Sequence, residues 1–138
     1  MNQHGSIQLA WQDGLLTMHT TGPFNEEGID QAFLELRTNV SEANLPRWYR
    51  IDILDKETYG SPQVMSVISQ SYLWAMTHGC QAIAIVCANR LQEQLLEQFT
   101  TRTHINLQSF LTAADALAWL DSQRFGNEKD VFSNSLSA

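Results

Sequence analysis

Polar and apolar residues alternate at the start of the chain in the manner of β-strands. Apolar side chains occupy every second position from Ile7 to Trp11, and residues 15–21 form a second strand-like segment. Asp13-Gly14 lies between the segments and favours a tight hairpin turn, because both residues tolerate a positive φ. The pattern therefore predicts two antiparallel strands, over residues 6–12 and 15–21.

The spacing of apolar residues changes to that of an amphipathic helix after Asn25. Apolar residues at i, i+4, i+7 and i+11 form one stripe, which consists of Ile29, Phe33, Leu36 and Val40. The next helix has a clear start, because Ser61 can cap it with its hydroxyl group and Pro62 is preset for the first helical position. Gly79 is expected to be the C-cap residue of this second helix.

Capping signals predict two more helices in the C-terminal half. Asn89 is followed by Gln92, and Thr112 by Asp115, each pair spaced as in a capping box. The fourth helix is expected to end at about Arg124. The residues predicted to face the core are Leu91, Leu95, Leu96 and Phe99 in the third helix, and Leu117 and Leu120 in the fourth.

Three further strands are predicted between the helices. Residues 82–88 are apolar on both faces, as is typical of a central strand in a parallel sheet, and residues 105–111 form the last strand. Residues 48–54 carry apolar side chains on one face, and Arg50 and Asp52 on the other. Charges at alternate positions indicate that this second face is solvated or pairs with itself.

The predicted elements follow one another in the order β-β-α-β-α-β-α-β-α. Strands that alternate with helices form parallel crossover units. We therefore expect an α/β fold with a mostly parallel five-stranded sheet, an antiparallel edge strand and four helices. We assign residues 1–125 to a single domain, and interpret residues 126–138, which show no periodicity, as a flexible C-terminal tail.

The composition indicates a folded domain and disfavours two classes of partner. Of the 138 residues, 43% are hydrophobic, which rules out wholesale disorder. The 15 acidic and 8 basic side chains give a net charge of −7, and such a surface repels the phosphates of nucleic acids and anionic lipids. The longest apolar run, residues 82–88, is too short to cross a membrane. The low cysteine count and the polar start are typical of a cytoplasmic protein.

The order of the elements and three short segments resemble a known fold family. The segments are Ile51-Asp52-Ile53-Leu54-Asp55 at the end of the third strand, Ser61 at the start of the next helix, and Ala116-Leu117-Ala118-Trp119-Leu120 in the last helix. Over residues 6–124 the chain resembles the SpoIIAA-like fold of anti-sigma factor antagonists and STAS domains. More narrowly, it resembles the bacterial SpoIIAA-like proteins of unassigned function.

The resemblance implies a regulatory binding module rather than an enzyme. In anti-sigma factor antagonists a partner kinase phosphorylates a serine at the start of the helix after this strand, and Ser61 holds that position here. The family motif reads aspartate-serine-small-glycine-aliphatic, whereas this chain reads Thr58-Tyr59-Gly60-Ser61-Pro62. Ser61 is thus a candidate phosphorylation site by resemblance and an N-cap by its own chemistry. CRAL-TRIO lipid carriers, distant relatives in fold, make an apolar ligand the alternative.

A binding surface is predicted where the carboxyl ends of the parallel strands meet, because ligands of open α/β sheets gather there. The longest loop at this edge is residues 55–61, and Phe24 lies on the neighbouring loop. Since Tyr72, Leu73 and Trp74 cannot all be buried on one helix, we expect Leu73 or Trp74 to be exposed. The predicted site consists of Phe24, Asp55, Thr58, Tyr59, Ser61, Met65 and Trp74.

The sequence lacks the usual signatures of catalysis and of cofactor or metal binding. It contains no nucleophile elbow and no glycine-rich phosphate loop. The four histidines lack metal-ligand spacing, and Cys80 and Cys87 are interpreted as core thiols. We therefore expect no enzymatic activity, no cofactor and no metal site.

We predict a binding module that contacts a protein partner through the loop at residues 55–61 and the helix start that follows it. The alternative is a carrier or sensor of a small apolar, lipid-like ligand, held between helices near Phe24, Tyr59 and Met65. A homodimer would form through the Leu73-Trp74 surface or through the face that carries Arg50 and Asp52. Nucleic acid and a membrane span are not expected.

Overall fold

The protein forms a single mixed sheet with helices on both faces. The computed structural model describes the backbone of residues 3–137 and the side chains of residues 3–126. The elements are β1 (Ser6–Gln12), β2 (Leu15–Thr21), α1 (Glu26–Ala43), β3 (Trp48–Ile53), α2 (Pro62–Thr77), β4 (Cys80–Val86), α3 (Arg90–Thr103), β5 (Leu107–Phe110) and α4 (Ala113–Ser137). The sheet order β1-β2-β3-β4-β5 follows the chain; β1 and β2 pair antiparallel, and the other three neighbouring pairs are parallel. The predicted α/β fold is confirmed.

The helices divide between the two faces of the sheet. Because the strand order follows the chain, the three crossovers advance in one direction, and right-handed crossovers place α1, α2 and α3 on the same face. Their apolar stripes pack there with Leu16, Ile83 and Ile85. The helix α4 covers the opposite face, where Ala116 and Leu120 pack near Ile51. The main core therefore lies between the sheet and α1 to α3.

Local signals in the sequence determine where the helices begin and where the chain turns. The hairpin turn has φ of 52° at Asp13 and 79° at Gly14, as the Asp-Gly pair predicts. The C-cap residue of α2 is His78, one position before the predicted Gly79, which follows it with φ of 96°. Each of the three predicted capping side chains accepts a hydrogen bond from the backbone N–H three residues later, namely Ser61 (3.3 Å), Asn89 (2.9 Å) and Thr112 (3.2 Å). Asn25, which was not predicted as a cap, does the same for α1 at 2.8 Å.

Two leucines predicted to face the core are exposed instead. Leu91 is 65% exposed and Leu117 is 41% exposed, so both predictions were wrong. Gln92 and Leu96 form the buried stripe of α3, and Ala116 and Leu120 form that of α4. Each exposed leucine lies one position away from its stripe, which rotates it by about 100° around the helix axis.

The end of α4 also differs from the prediction. The helix continues past Arg124 to Ser137, over most of the segment interpreted as a tail. No proline occurs in residues 125–137, and the single Gly126 lowers helix propensity by about 1 kcal/mol without ending the helix. The side chains from residue 127 onward lie outside the described residues. No helix in the described part of the chain is long and apolar enough to cross a membrane.

Both cysteines are free and buried, as predicted for core thiols. Cys80 is the first residue of β4 and is 3% exposed. Burial raises the pKa of the Cys80 thiol from 9.0 to about 12. The folded protein therefore retains a proton that the unfolded chain loses as the pH rises above the ordinary thiol value.

We expect the free energy of unfolding to decrease in alkaline solution, in part because of Cys80. Between the unfolded pKa of 9.0 and the folded pKa of about 12, this thiol costs on the order of 1 kcal/mol per pH unit. Urea unfolding at about pH 7 and at about pH 10 measures the loss in wild type and in Cys80→Ala. A loss of the same size in the variant would contradict this assignment.

Candidate functional site

A buried ion pair lies on the core face of β3. Arg50 donates from Nε to Asp52 Oδ1 at 2.8 Å and from Nη2 to Asp52 Oδ2 at 2.9 Å. The two side chains are 0% and 1% exposed. Arg50 also donates to the backbone oxygen and the hydroxyl oxygen of Ser71, both at 3.1 Å, and its guanidinium carbon lies 5.0 Å from the ring centre of Tyr72. The pair therefore joins β3 to α2.

The prediction of a solvated face at Arg50 and Asp52 was wrong, and this face is not available to a second copy of the chain. The helices α1 and α2 cover it: Ser71 of α2 accepts hydrogen bonds from Arg50, and Leu36 of α1 lines the same cavity as the pair. The alternative, that the charges pair with each other, describes the structure. Alternating charges on a strand are consistent with both arrangements, and only the packing of helices from distant parts of the chain decides between them.

The two charges affect each other's ionisation. Burial raises the pKa of Asp52, and the attraction of Arg50 opposes this effect. Burial alone would lower the pKa of Arg50, but Asp52 keeps it above its usual value. The bidentate contact offsets part of the cost of desolvating the two groups, and each charge depends on the other for its stability.

We expect removal of one partner to be far more harmful than removal of both. Asp52→Ala leaves a buried unpaired guanidinium and should destabilise the fold by about 3–5 kcal/mol. The double variant Arg50→Met/Asp52→Leu replaces the pair with apolar groups of similar volume and should lie within about 2 kcal/mol of wild type or above it. Urea denaturation of the wild type and both variants measures the difference. A double variant as unstable as Asp52→Ala would contradict the interpretation.

A narrow cavity lies between the ion pair, α1 and α2. Its walls are mainly apolar, and its volume is about 30 Å³. It has room for roughly two water molecules. Its apolar wall includes Met18, Phe24, Ile29, Ala32, Val67 and Ile68. Thr20, Thr58, Ser71 and Tyr72 line it near the pair.

The loop after β3 closes one end of this cavity and is held by the carboxylate of Asp55. Its Oδ2 accepts a hydrogen bond from the Gly22 N–H at 2.9 Å; its Oδ1 accepts from the Thr58 hydroxyl at 2.7 Å and from the Glu57 N–H at 3.1 Å. The Thr58 hydroxyl has one hydrogen, which it donates to Asp55. Thr20 is therefore the donor in its 2.7 Å contact with Thr58. Asp55 thus fixes the loop to the end of β2.

Two further contacts anchor the loop to the helices α2 and α3. The hydroxyl groups of Tyr59 and Tyr72 lie 2.9 Å apart, and burial raises the pKa of both. Gln92 donates from Nε2 to the backbone oxygen of Asp55 at 2.7 Å and accepts from the Ala88 N–H at 2.7 Å. Sequence reasoning assigned Gln92 to a capping box only, and the signal that could have revealed more is a glutamine within an otherwise apolar helix stripe.

The structure brings together five of the seven predicted site residues: Phe24, Asp55, Thr58, Tyr59 and Ser61. Phe24 and Thr58 are buried against the cavity, whereas Ser61 is exposed at the start of α2. Met65 is half-buried one turn further along α2 and does not line the cavity.

Trp74 does not belong to this group. It lies 13 residues after Ser61, or about 20 Å along the helix. There its ring stacks on His78 at 4.3 Å and meets the edge of Phe33 at 6.1 Å. The neighbouring Leu73 is 41% exposed, as the crowded segment predicts. Among the described residues, no group of three His, Cys, Asp or Glu side chains could hold a metal ion.

The sheet order, the opening hairpin and the loop before α2 define a SpoIIAA-like α/β domain, as the sequence resemblance predicts. In a comparison with solved structures, the chain is similar to an uncharacterized protein of the DUF3478 family with a SpoIIAA-like fold, from Shewanella loihica PV-4. The sequence identity is 18%, the match covers 87% of this chain and 96% of that one, and the TM-score is 0.62. No protein-family model and no curated protein matches the chain. At this identity the likeness establishes the fold.

Proposed function

We propose that this protein is a binding domain without catalytic activity of its own, and that it holds a small apolar ligand between α1 and α2. The observation that carries the proposal is the cavity, whose apolar walls meet a paired charge at one end. Apolar cavities with a few placed polar groups are the usual form of small-molecule sites. The predicted residues Phe24 and Thr58 both face this cavity. The role would be that of a carrier or a sensor.

The helix α1 is the element whose displacement would enlarge the cavity. At about 30 Å³ the cavity is too small for a hydrocarbon chain. Between the described residues of α1 and α2 there is no hydrogen bond, whereas Ser71 and Tyr72 join α2 to β3 and to the loop at residues 55–61. Side-chain packing alone therefore holds α1 against α2, and a ligand can replace those contacts with its own.

We expect a substitution that fills the cavity to abolish ligand binding. Native mass spectrometry of the protein purified from its own cells should show a retained small molecule in the wild type. Ala32→Leu inserts a larger side chain into the cavity wall and should remove the adduct. Ala43→Leu, the same substitution at the end of α1 and away from the cavity, should retain it. Circular dichroism verifies that both variants fold, since overpacking costs typically 1–3 kcal/mol.

A wild-type spectrum that shows the mass of the protein without a bound molecule would count against this function. So would an adduct of equal intensity in Ala32→Leu and Ala43→Leu. The same spectra report the mass of the assembly. They therefore also test the homodimer expected through Leu73 and Trp74.

The second candidate is recognition of a protein partner by the outer face of the loop at residues 55–61. Inward hydrogen bonds of Asp55, Thr58 and Tyr59 fix this loop, while Lys56, Glu57 and Ser61 remain exposed. A rigid loop loses little conformational freedom on binding, which favours recognition. Phosphorylation of Ser61 would add about −1.5 to −2 charges beside Glu57.

We expect Ser61→Asp and Ser61→Ala to behave differently if this loop is a phosphorylation-dependent docking surface. Ser61→Ala loses the N-cap and should cost about 1 kcal/mol of stability with little change in partner affinity. Ser61→Asp retains a capping oxygen, adds a charge and should alter partner affinity. Ser66→Asp, on the exposed face of α2, is the control for added charge. Equal capture of the same partners by all variants, together with an unmodified Ser61 in cells, would exclude the switch.

A further inference from the structure

We infer that the ligand of this cavity is uncharged, such as an apolar chain that ends in a hydroxyl group, and that ionised fatty acids are excluded. This inference rests on the proposed apolar-ligand function. It follows from how the polar groups around the cavity are already paired. Arg50 is the cation in the cavity wall, and Asp52 is the carboxylate.

The hydrogen-bonding capacity of Arg50 is nearly used up within the protein. A guanidinium has five N–H donors, and four of them are assigned, two to Asp52 and two to Ser71. The Tyr72 ring lies against the guanidinium, 5.0 Å from its central carbon. A ligand carboxylate would therefore meet a cation that is already neutralised by a carboxylate.

Asp52 likewise has no free oxygen to offer a cationic ligand. Both of its oxygens accept from Arg50, and the side chain is 1% exposed. An ammonium group in the cavity would have to compete with a bidentate guanidinium for those oxygens. The other nearby carboxylate, Asp55, does not line the cavity and is bound within the loop at residues 55–61. A charge of either sign would be buried without a partner of its own, and that is costly.

A hydroxyl group can be accommodated without such a cost. The Thr20 hydroxyl donates its hydrogen to Thr58, and its oxygen retains capacity to accept a hydrogen bond. Thr20 is 7% exposed and lines the cavity beside the ion pair. An alcohol at the end of an apolar chain could therefore donate to Thr20 while the chain lies against Met18, Phe24 and Val67.

The test compares ligands that share a ten-carbon chain and differ in the end group: decan-1-ol, decanoate and decylammonium. Displacement of a fluorescent apolar probe from the wild-type protein at about pH 8 measures each affinity. We expect decan-1-ol to bind at least about tenfold more tightly than either ion, since a carboxylate or ammonium loses its hydration without gaining a partner. Equal affinity of decanoate and decan-1-ol would overturn the inference while leaving the proposed function intact. Binding of none of the three would overturn both.

A second arm changes the charge of the cavity wall. Asp52→Asn retains the shape of the side chain but leaves Arg50 without its counter-ion. We expect this variant to gain affinity for decanoate by about tenfold or more, and not for decylammonium. Asp30→Asn makes the same chemical change on the exposed face of α1 and should leave all three affinities unchanged. An Asp52→Asn variant that folds and still rejects decanoate would contradict the argument. If it does not fold, the wild-type comparison decides.

Discussion

The arrangement of the domain depends on a pair of opposite charges that are kept away from water. Arg50 and Asp52 lie on a central strand, where most side chains of a doubly covered sheet are apolar. Burial of either charge alone would cost several kcal/mol, so each requires the other in a fixed geometry. The remaining donors of Arg50 then require the hydroxyl and backbone oxygens of Ser71 at a fixed place. The register of α2 on the sheet follows from this requirement.

Contacts around the buried ion pair continue from the sheet to the loop at residues 55–61. Tyr72 follows Ser71 on α2, and its ring lies against Arg50 while its hydroxyl group meets that of Tyr59. On the other side, Asp55 fixes the loop to Gly22 at the end of β2. Two sets of polar contacts, one around Arg50 and one around Asp55, therefore meet at the loop and together join β2, β3, α2 and the loop, whereas α1 contributes apolar surface alone to this part of the core. The cavity therefore has two different sides. Polar contacts hold α2 and the loop on one side, and apolar packing alone holds α1 on the other.

Much of this fold could be predicted from short-range patterns. The Asp-Gly turn, the capping side chains and the change of apolar period are local, and they placed all nine elements in the correct order. The errors arise where the answer depends on a distant partner. The burial of Arg50 is decided by helices that come from two other parts of the chain, and Leu91 faces away because the stripe of α3 includes a glutamine. That glutamine is buried because the backbone oxygen of Asp55 lies within its reach, 37 residues away in sequence.

The sequence was also limited in what it could predict about the candidate site. The predicted residues at the end of the sheet were identified by position, and position alone does not say whether a side chain faces outward or inward. Asp55, Thr58 and Tyr59 direct their polar atoms into the protein, so they shape and stiffen the loop rather than present it. The cavity behind this loop is lined mainly by apolar side chains, and its two charges are paired with each other. Under the proposed function, a ligand is therefore recognised by the shape of an apolar group and at most a hydrogen bond, and not by charge.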